Sequence, residues 1–327
     1  MNKRQTNRWA TGLVLAAGIL LLAIAGASFY MLDYSLGYQP QKRKPASVQR
    51  QRVMRECPWT ASWMDSVYQH HCMRDTFVFM PSGYKAHALY LYAPQATSKT
   101  AVIVHGYKMR AEGMLHIAYL YNHDLQYNVL LPDLYAHGQS EGDHIQMGWN
   151  DRWDVMRWSE IADEIFSKNP SRSHTQQVLH GISMGAATIM AVSGEPTPSY
   201  VKCFVEDCGY TSVWDEFAAQ LKDEFALPSF PLMNTTSTLC KMRYGWSFAK
   251  ARQIDQVARS TKPMLFIHGD NDKFVPSWMV HPLYKVKQHG AKSLMIAKGS
   301  VHAMAYRDHH EEYTQTVRKF VETMLHD

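Results

Sequence analysis

No two of the five cysteines stand at C-x-x-C spacing, which excludes a zinc ribbon and a thioredoxin-type redox pair. The odd count leaves at least one thiol free, although Cys57 and Cys72 could bridge in an exported protein. No G-x-G-x-x-G or Walker loop occurs, so no nucleotide cofactor is implied, and no cofactor is expected. H-E-x-x-H and converging acidic clusters are also missing. The pairs His70-His71 and His309-His310 therefore read as solvated histidines, and no metal site is expected. Neither internal repeats nor low-complexity tracts are visible, which removes solenoids and arrays.

Charge is missing from all 24 residues between Trp9 and Leu32. As a helix this run would be about 36 Å long, against about 30 Å of bilayer hydrocarbon. Lys3, Arg4 and Arg8 precede it, and the triplet Ala25-Gly26-Ala27 has the small-x-small form of a signal cleavage site. The run continues through Phe29, Tyr30, Met31 and Leu32, too long for a signal core, so the expectation is an uncleaved anchor partnered by the lipid bilayer. Cleavage and export is the alternative. The cations closest to the run lie on its N-terminal side, which places the large domain outside the cytoplasm, periplasmic or at the cell surface. The expected organisation is a basic segment 1–8, a transmembrane signal-anchor 9–32, a basic linker 33–56 and a body 57–327.

The net charge of +5 is uneven, because residues 1–55 carry +8 and the remainder −3. Basic excess therefore belongs to the membrane-flanking segment, where it would meet anionic head groups. The mildly acidic body lacks the footprint of a nucleic-acid binder.

The body alternates strands and helices. A hairpin is expected from 76–80 and 88–92 around Pro81-Ser82-Gly83. Short apolar runs at 101–105, 128–132, 177–180, 201–205, 264–268 and 293–297 read as buried strands. Helices are expected over 114–125 and 149–166, with an amphipathic one closing the chain at 308–325. This is the pattern of a doubly wound α/β sheet, mostly parallel. Between the last two groups of strands, about 209–260, a segment rich in large apolar residues reads as a helical cap. Its Trp214, Phe217, Phe225, Phe230 and Trp246 either line an acyl pocket or fix the cap to the body.

The sharpest local signal is Gly181-Ile182-Ser183-Met184-Gly185, a G-x-S-x-G placed after an apolar strand and before a small-residue helix start. A strand turning straight into a helix leaves no room for side chains at Gly181 and Gly185. It raises Ser183 above the sheet as a candidate nucleophile, with the helix N-terminus behind it. An acid and a histidine must follow in that order. Asp272 stands in the loop after the strand Phe266-Ile267-His268, and His302 in the loop after 293–297. Asp270 and Asp207 are the alternative acids. Two backbone N–H groups should hold an oxyanion, those of Met184 and Tyr107, although His105-Gly106 also reads as an ordinary strand-to-loop turn.

Together with Asp133 to Gly142, these pieces resemble the α/β-hydrolase superfamily. In particular they resemble the bacterial membrane-anchored serine hydrolases of the serine-aminopeptidase and monoacylglycerol-lipase-like branch. The stretch AHGQSEG is similar to that branch's G-H-G-x-S-x-G loop, with Ala136 where Gly is usual. The resemblance runs from about Asp75 to the C-terminus. It implies the α/β-hydrolase fold, the triad Ser183, Asp272 and His302, and the oxyanion donors Tyr107 and Met184. A single Gly106 before Tyr107 departs from lipases with an HGGG-type loop, so bulky tertiary-alcohol esters are not implied. The expected activity is cofactor-free cleavage of a carboxylic ester or thioester through an acyl-serine. A peptidase or amidase of the same fold is the rival, and an inactive membrane-tethered interaction protein the rival of another class.

Overall fold

The computed structural model describes residues 3–38, 43–167 and 173–325, with the side chains of residues 3–8 left aside. Met1, Asn2, the side chains of Lys3, Arg4 and Arg8, and Lys42 of the expected basic linker lie outside the described residues.

An eight-stranded sheet is the frame, in the order β1-β2-β4-β3-β5-β6-β7-β8. β1 (Arg74–Phe79) and β2 (Lys85–Leu91) form the antiparallel hairpin, and β2 pairs antiparallel with β4 (Asn128–Asp133). From β4 onward β3 (Lys99–Val104), β5 (Gln176–Ile182), β6 (Val201–Asp207), β7 (Met264–Gly269) and β8 (Lys292–Ala297) are all parallel. The continuous apolar runs follow from this, because every residue of β4 and β7 is buried between helices on both faces. Edge strand β1 instead alternates exposed and half-buried residues.

The helices are α1 (Lys3–Leu36), α2 (Ala46–Glu56), α3 (Ala61–Gln69), α4 (Leu115–Tyr119), α5 (Asp151–Phe166), α6 (Met184–Ser193), α7 (Val213–Phe225), α8 (Leu232–Tyr244), α9 (Gln253–Arg259), α10 (Val280–Val286), α11 (Ala305–Asp308) and α12 (His310–Met324). α12 buries Tyr313, Val317, Phe320 and Val321 on one stripe. The helix expected over 114–125 is interrupted. A 3-10 turn at Ala111–Met114 precedes α4, and a wider π turn at Leu120–Asp124 follows it. The wide turn closes with Leu125 N–H on the Leu120 carbonyl, and Tyr121 there reaches His180. α7, α8 and α9 fill the interval between β6 and β7.

Two boundaries differ from those read in the sequence. α1 does not end at Leu32 but runs on to Leu36, and both of these leucines are fully buried in the core. Ser28 on the same face bonds Thr235 of α8 at 2.6 Å. The described part of the expected linker is folded onto the body. Val53 and Gln49 of α2 are buried, and Arg52 pairs with Glu56. Arg43 donates to the carbonyls of Gly138, Ser140 and Gly142 at 3.2, 2.6 and 3.0 Å. Bonded to three carbonyls and half-buried, Arg43 is not free to meet lipid head groups. The guanidinium clips the loop after β4, so Arg43→Ala should cost about 1–3 kcal/mol. A urea unfolding midpoint lowered without a change of slope would show it.

All five cysteines are free thiols: Cys57 is buried and Cys72 exposed, so the bridge considered between them is absent. Among the described residues one helical stretch, Trp9–Leu36, is long and apolar enough to cross a membrane.

Candidate active site

Parallel strands send their C-terminal loops to one edge of the sheet, and four loops meet there, after β3, β5, β7 and β8. β5 turns directly into α6. Ser183 sits at the turn with φ 58° and ψ −121°, a backbone region that side chains rarely occupy. The flanking glycines are required by space. A Cβ on Gly181 would lie 2.2 Å from the Gly185 carbonyl oxygen, and one on Gly185 2.1 Å from that of Val104. The turn is held by Ser183 N–H on the Asp207 carbonyl at 2.8 Å.

Three side chains from three loops form one hydrogen-bonded chain. Ser183 Oγ is 2.8 Å from His302 Nε2, and His302 Nδ1 is 2.7 Å from Asp272 Oδ2. Asp272 Oδ1 accepts the backbone N–H groups of Phe274 and Val275 at 2.9 and 3.0 Å. Burial pushes the Asp272 pKa upward, but hydrogen bonds and charge from His268 and His302 outweigh it and hold the carboxyl below its ordinary value. Such a chain can pass a proton from hydroxyl to imidazole while the carboxylate steadies the cation.

The alternative acids are engaged elsewhere. Asp270 accepts Gly299 N–H at 2.5 Å. Asp207 accepts Tyr313 O–H at 2.9 Å, at the end of a buried chain in which His180 Nε2 bonds Tyr313 and Nδ1 bonds Tyr121. Burial raises the Asp207 pKa to about 6. His105 and His137 cap turns as neutral rings, accepting Leu134 N–H and Lys108 N–H at 3.0 and 3.2 Å. Of the paired histidines, His70 bonds the Ser66 carbonyl, His309 the Lys298 carbonyl and His310 the Tyr306 hydroxyl.

The loop after β3 lies against the serine. A Cβ on Gly106 would come within 3.3 Å of Ser183 Cβ. Met184 is the first residue of α6, where helix N–H groups have no intrahelical acceptor. Tyr107 O–H donates to the Ser35 carbonyl of α1 at 2.7 Å. Beyond this, Asp133 anchors the stretch AHGQSEG by accepting Ala111 and Gln139 N–H and by bonding His87 at 2.7 Å. Ala136 has φ 63°, which is why glycine suits that position.

A cleft of about 140 Å³ runs from Ser183 beneath the cap. Phe217 and Phe225 line it, together with Phe248. Trp246 is buried in the core against Phe248, Trp214 packs on the same core, and Phe230 is exposed. The cap aromatics therefore divide between lining and fixing. Sequence reading missed Met31, Tyr34 and Ser35 of α1, which line the cleft. Their one signal is Ser28, Leu32 and Leu36 at four-residue spacing, hidden in a run that is apolar on all sides.

Glu216 was also missed. It lines the cleft, is buried, and its Oε2 has no partner among the described residues. Burial pushes its pKa up to about 8, so at neutral pH it is an uncharged acid. The folded state then keeps a proton that the unfolded chain releases near its ordinary value of 4.5. Stability should fall as pH rises from about 4.5 towards 8, the window of this shift. Glu216→Gln should make that fall shallower in thermal melts taken across the window. Equal slopes for the two proteins would refute the assignment.

Comparison with known proteins agrees with this architecture. The model of the alpha/beta hydrolase family matches residues 101–316. The uncharacterized protein YqkD of Bacillus subtilis is 30% identical over 77% of this chain and 81% of its own. Among solved structures, the Pyrococcus furiosus esterase Pf2001 superposes with a TM-score of 0.60 at 19% identity, over 77% of this chain and 92% of its own. A Pyrococcus horikoshii acylaminoacyl peptidase gives 0.56 at 15% identity, over 80% of this chain and 43% of its own. An esterase and a peptidase thus share the frame, which carries the fold and leaves the leaving group open. By the extent of the family match and the sheet order it describes, the chain belongs to the alpha/beta hydrolase family.

Proposed function

We propose that the chain is a serine hydrolase that cleaves a carboxylic ester or thioester through an acyl-Ser183 intermediate. The observation that carries this reading is the hydrogen-bonded chain from Ser183 to His302 to Asp272 at the head of a mostly apolar cleft. His302 Nε2 takes the Ser183 proton as Oγ attacks the carbonyl carbon. The backbone N–H groups of Met184 and Tyr107 hold the oxyanion. His302 then returns the proton to the leaving alkoxide or thiolate. Water, deprotonated by the same imidazole, releases the acid and restores the serine. The wholly organic donor set carries this cycle without a cofactor.

An apolar cleft whose single buried carboxyl is protonated suits an acyl chain better than a charged peptide terminus, which ranks esters above amides. A panel of p-nitrophenyl esters against aminoacyl p-nitroanilides tests the ranking. An initial burst of p-nitrophenol close to one equivalent per chain is expected, with anilides slower. Faster anilide cleavage would move the protein to the peptidases.

We read the apolar run that begins at Trp9 as an uncleaved membrane anchor, with the hydrolase domain outside the cytoplasm. A C-terminally tagged chain should stay in the membrane pellet through an alkaline wash and retain Met1. A soluble product beginning at Ser28 would show cleavage instead.

A further inference from the structure

α1 does more than reach the body. It runs parallel to α8, with matching steps along both. Ser28 meets Thr235, and Gly37 pairs with His144, whose ring stacks on Tyr244 at 3.9 Å. The start of α8 therefore lies alongside α1 near Ser28, and the turn before it leaves from Phe225, which packs on Tyr34 of α1. That turn is itself apolar and exposed, with Phe230 at 76% and Leu227 at 44% exposure. On α1, Phe29 is 55% and Leu22 75% exposed.

The cleft spans the same interval. Ser183 and Met184 line it, and so do Met31 and Tyr34 of α1 and Leu232 and Met233 at the start of α8. Tyr34 closes this wall, its ring on Phe225 at 5.5 Å and its hydroxyl donating to Glu224 at 2.8 Å. α1 also reaches the oxyanion loop, since Ser35 holds the Tyr107 hydroxyl and Tyr38 O–H donates to the Lys108 carbonyl at 3.3 Å.

We infer that the last turns of α1 are a working wall of the active site, and that the cleft opens between α1 and the α7–α8 turn onto the bilayer. Leu227 and Phe230 sit in the bilayer surface beside the anchor. The substrate is an ester amphiphile resident in the membrane, whose acyl chain slides along Met31 and Leu232 to reach Ser183 without crossing water. This rests on the serine hydrolase reading.

The test uses the full chain reconstituted in phosphatidylcholine vesicles. Two esters releasing the same chromophore are compared: water-soluble p-nitrophenyl acetate and bilayer-dissolved p-nitrophenyl palmitate. The double variant Leu227→Asp with Phe230→Asp touches no cleft-lining position. It should retain acetate turnover within about twofold and lose at least about tenfold on palmitate. Met31→Trp, which fills the wall, should shift the palmitate-to-acetate ratio of kcat/KM at least about tenfold towards acetate. Unchanged ratios in both proteins, with acetate turnover intact, would overturn the inference and leave the hydrolase standing. Absence of acetate turnover in the unaltered chain would overturn the hydrolase reading and this inference with it.

Discussion

Replacing Ser183 with alanine should lower kcat by about five to six orders of magnitude, while the folded structure persists. The size of the loss follows from what the change removes. In the proposed mechanism Oγ is the atom that forms the acyl bond, and its bonded partner among the described residues is His302 Nε2 at 2.8 Å. Without it, the imidazole, the carboxylate and the oxyanion donors have nothing to activate. They act as one unit, so losing one member costs nearly as much as losing all. The backbone is a separate matter. With φ at 58° and ψ at −121°, position 183 is strained for any residue carrying a Cβ. Ser183→Gly should therefore be as inactive as Ser183→Ala and more stable than the unaltered chain. A melting temperature above that of the parent, at no measurable turnover, is the expected pair of results. The strain is then a cost that the fold carries for the position of one oxygen.

Asp272→Asn should lower kcat by about three to four orders of magnitude with little effect on folding. The loss follows from the way the amide must face. Oδ1 accepts two backbone N–H groups, from Phe274 and Val275, so the carbonyl oxygen of asparagine takes that place. The amide nitrogen is then directed at His302 Nδ1, where Oδ2 accepts in the parent at 2.7 Å. Nδ1 has to become the acceptor, the ring proton moves to Nε2, and Nε2 can no longer take a proton from Ser183. The imidazolium formed during attack also loses its carboxylate. Asp272→Glu would not restore activity, because the longer side chain cannot keep both N–H partners and the imidazole. Steady-state kinetics on a p-nitrophenyl ester, with circular dichroism to show the fold intact, decide the matter. Near-parental kcat in Asp272→Asn would return the acid's role to another group. Asp207, already bonded to Tyr313, would be the first to examine.

How far the sequence led can be judged residue by residue. The buried strands were legible because β4 and β7 are apolar at almost every position, as burial on both faces demands. Ser183 was legible because its neighbours are held to glycine by backbone atoms 2.2 and 2.1 Å from any added Cβ. The choice among Asp272, Asp270 and Asp207 was not. All three follow strand ends, and what separates them is a pair of loop N–H groups and the direction of a side chain. The docking of α1 was hidden for a different reason. A helix apolar on every side carries no pattern to tell which face meets protein and which meets lipid, so Leu32 and Leu36 looked like more of the same run. Arg43 misled by its type. A cation near an apolar run suggests head groups, whereas here three loop carbonyls engage it. Glu216 gave no signal at all, since a glutamate in a helix is ordinarily solvated and only tertiary packing buries it.

The proposed mechanism requires Ser183 Oγ to be a nucleophile, and a fluorophosphonate probe reads that directly. Phosphorus is attacked far faster by a hydroxyl that a neighbouring base can deprotonate than by an unactivated one, and the adduct survives digestion and mass spectrometry. Incubated with the full chain, the probe should add its mass to a single peptide, the one containing Ser183. It should add nothing to Ser183→Ala, and much more slowly to Asp272→Asn. No adduct on the unaltered chain, or an adduct on any residue other than Ser183, would contradict the mechanism.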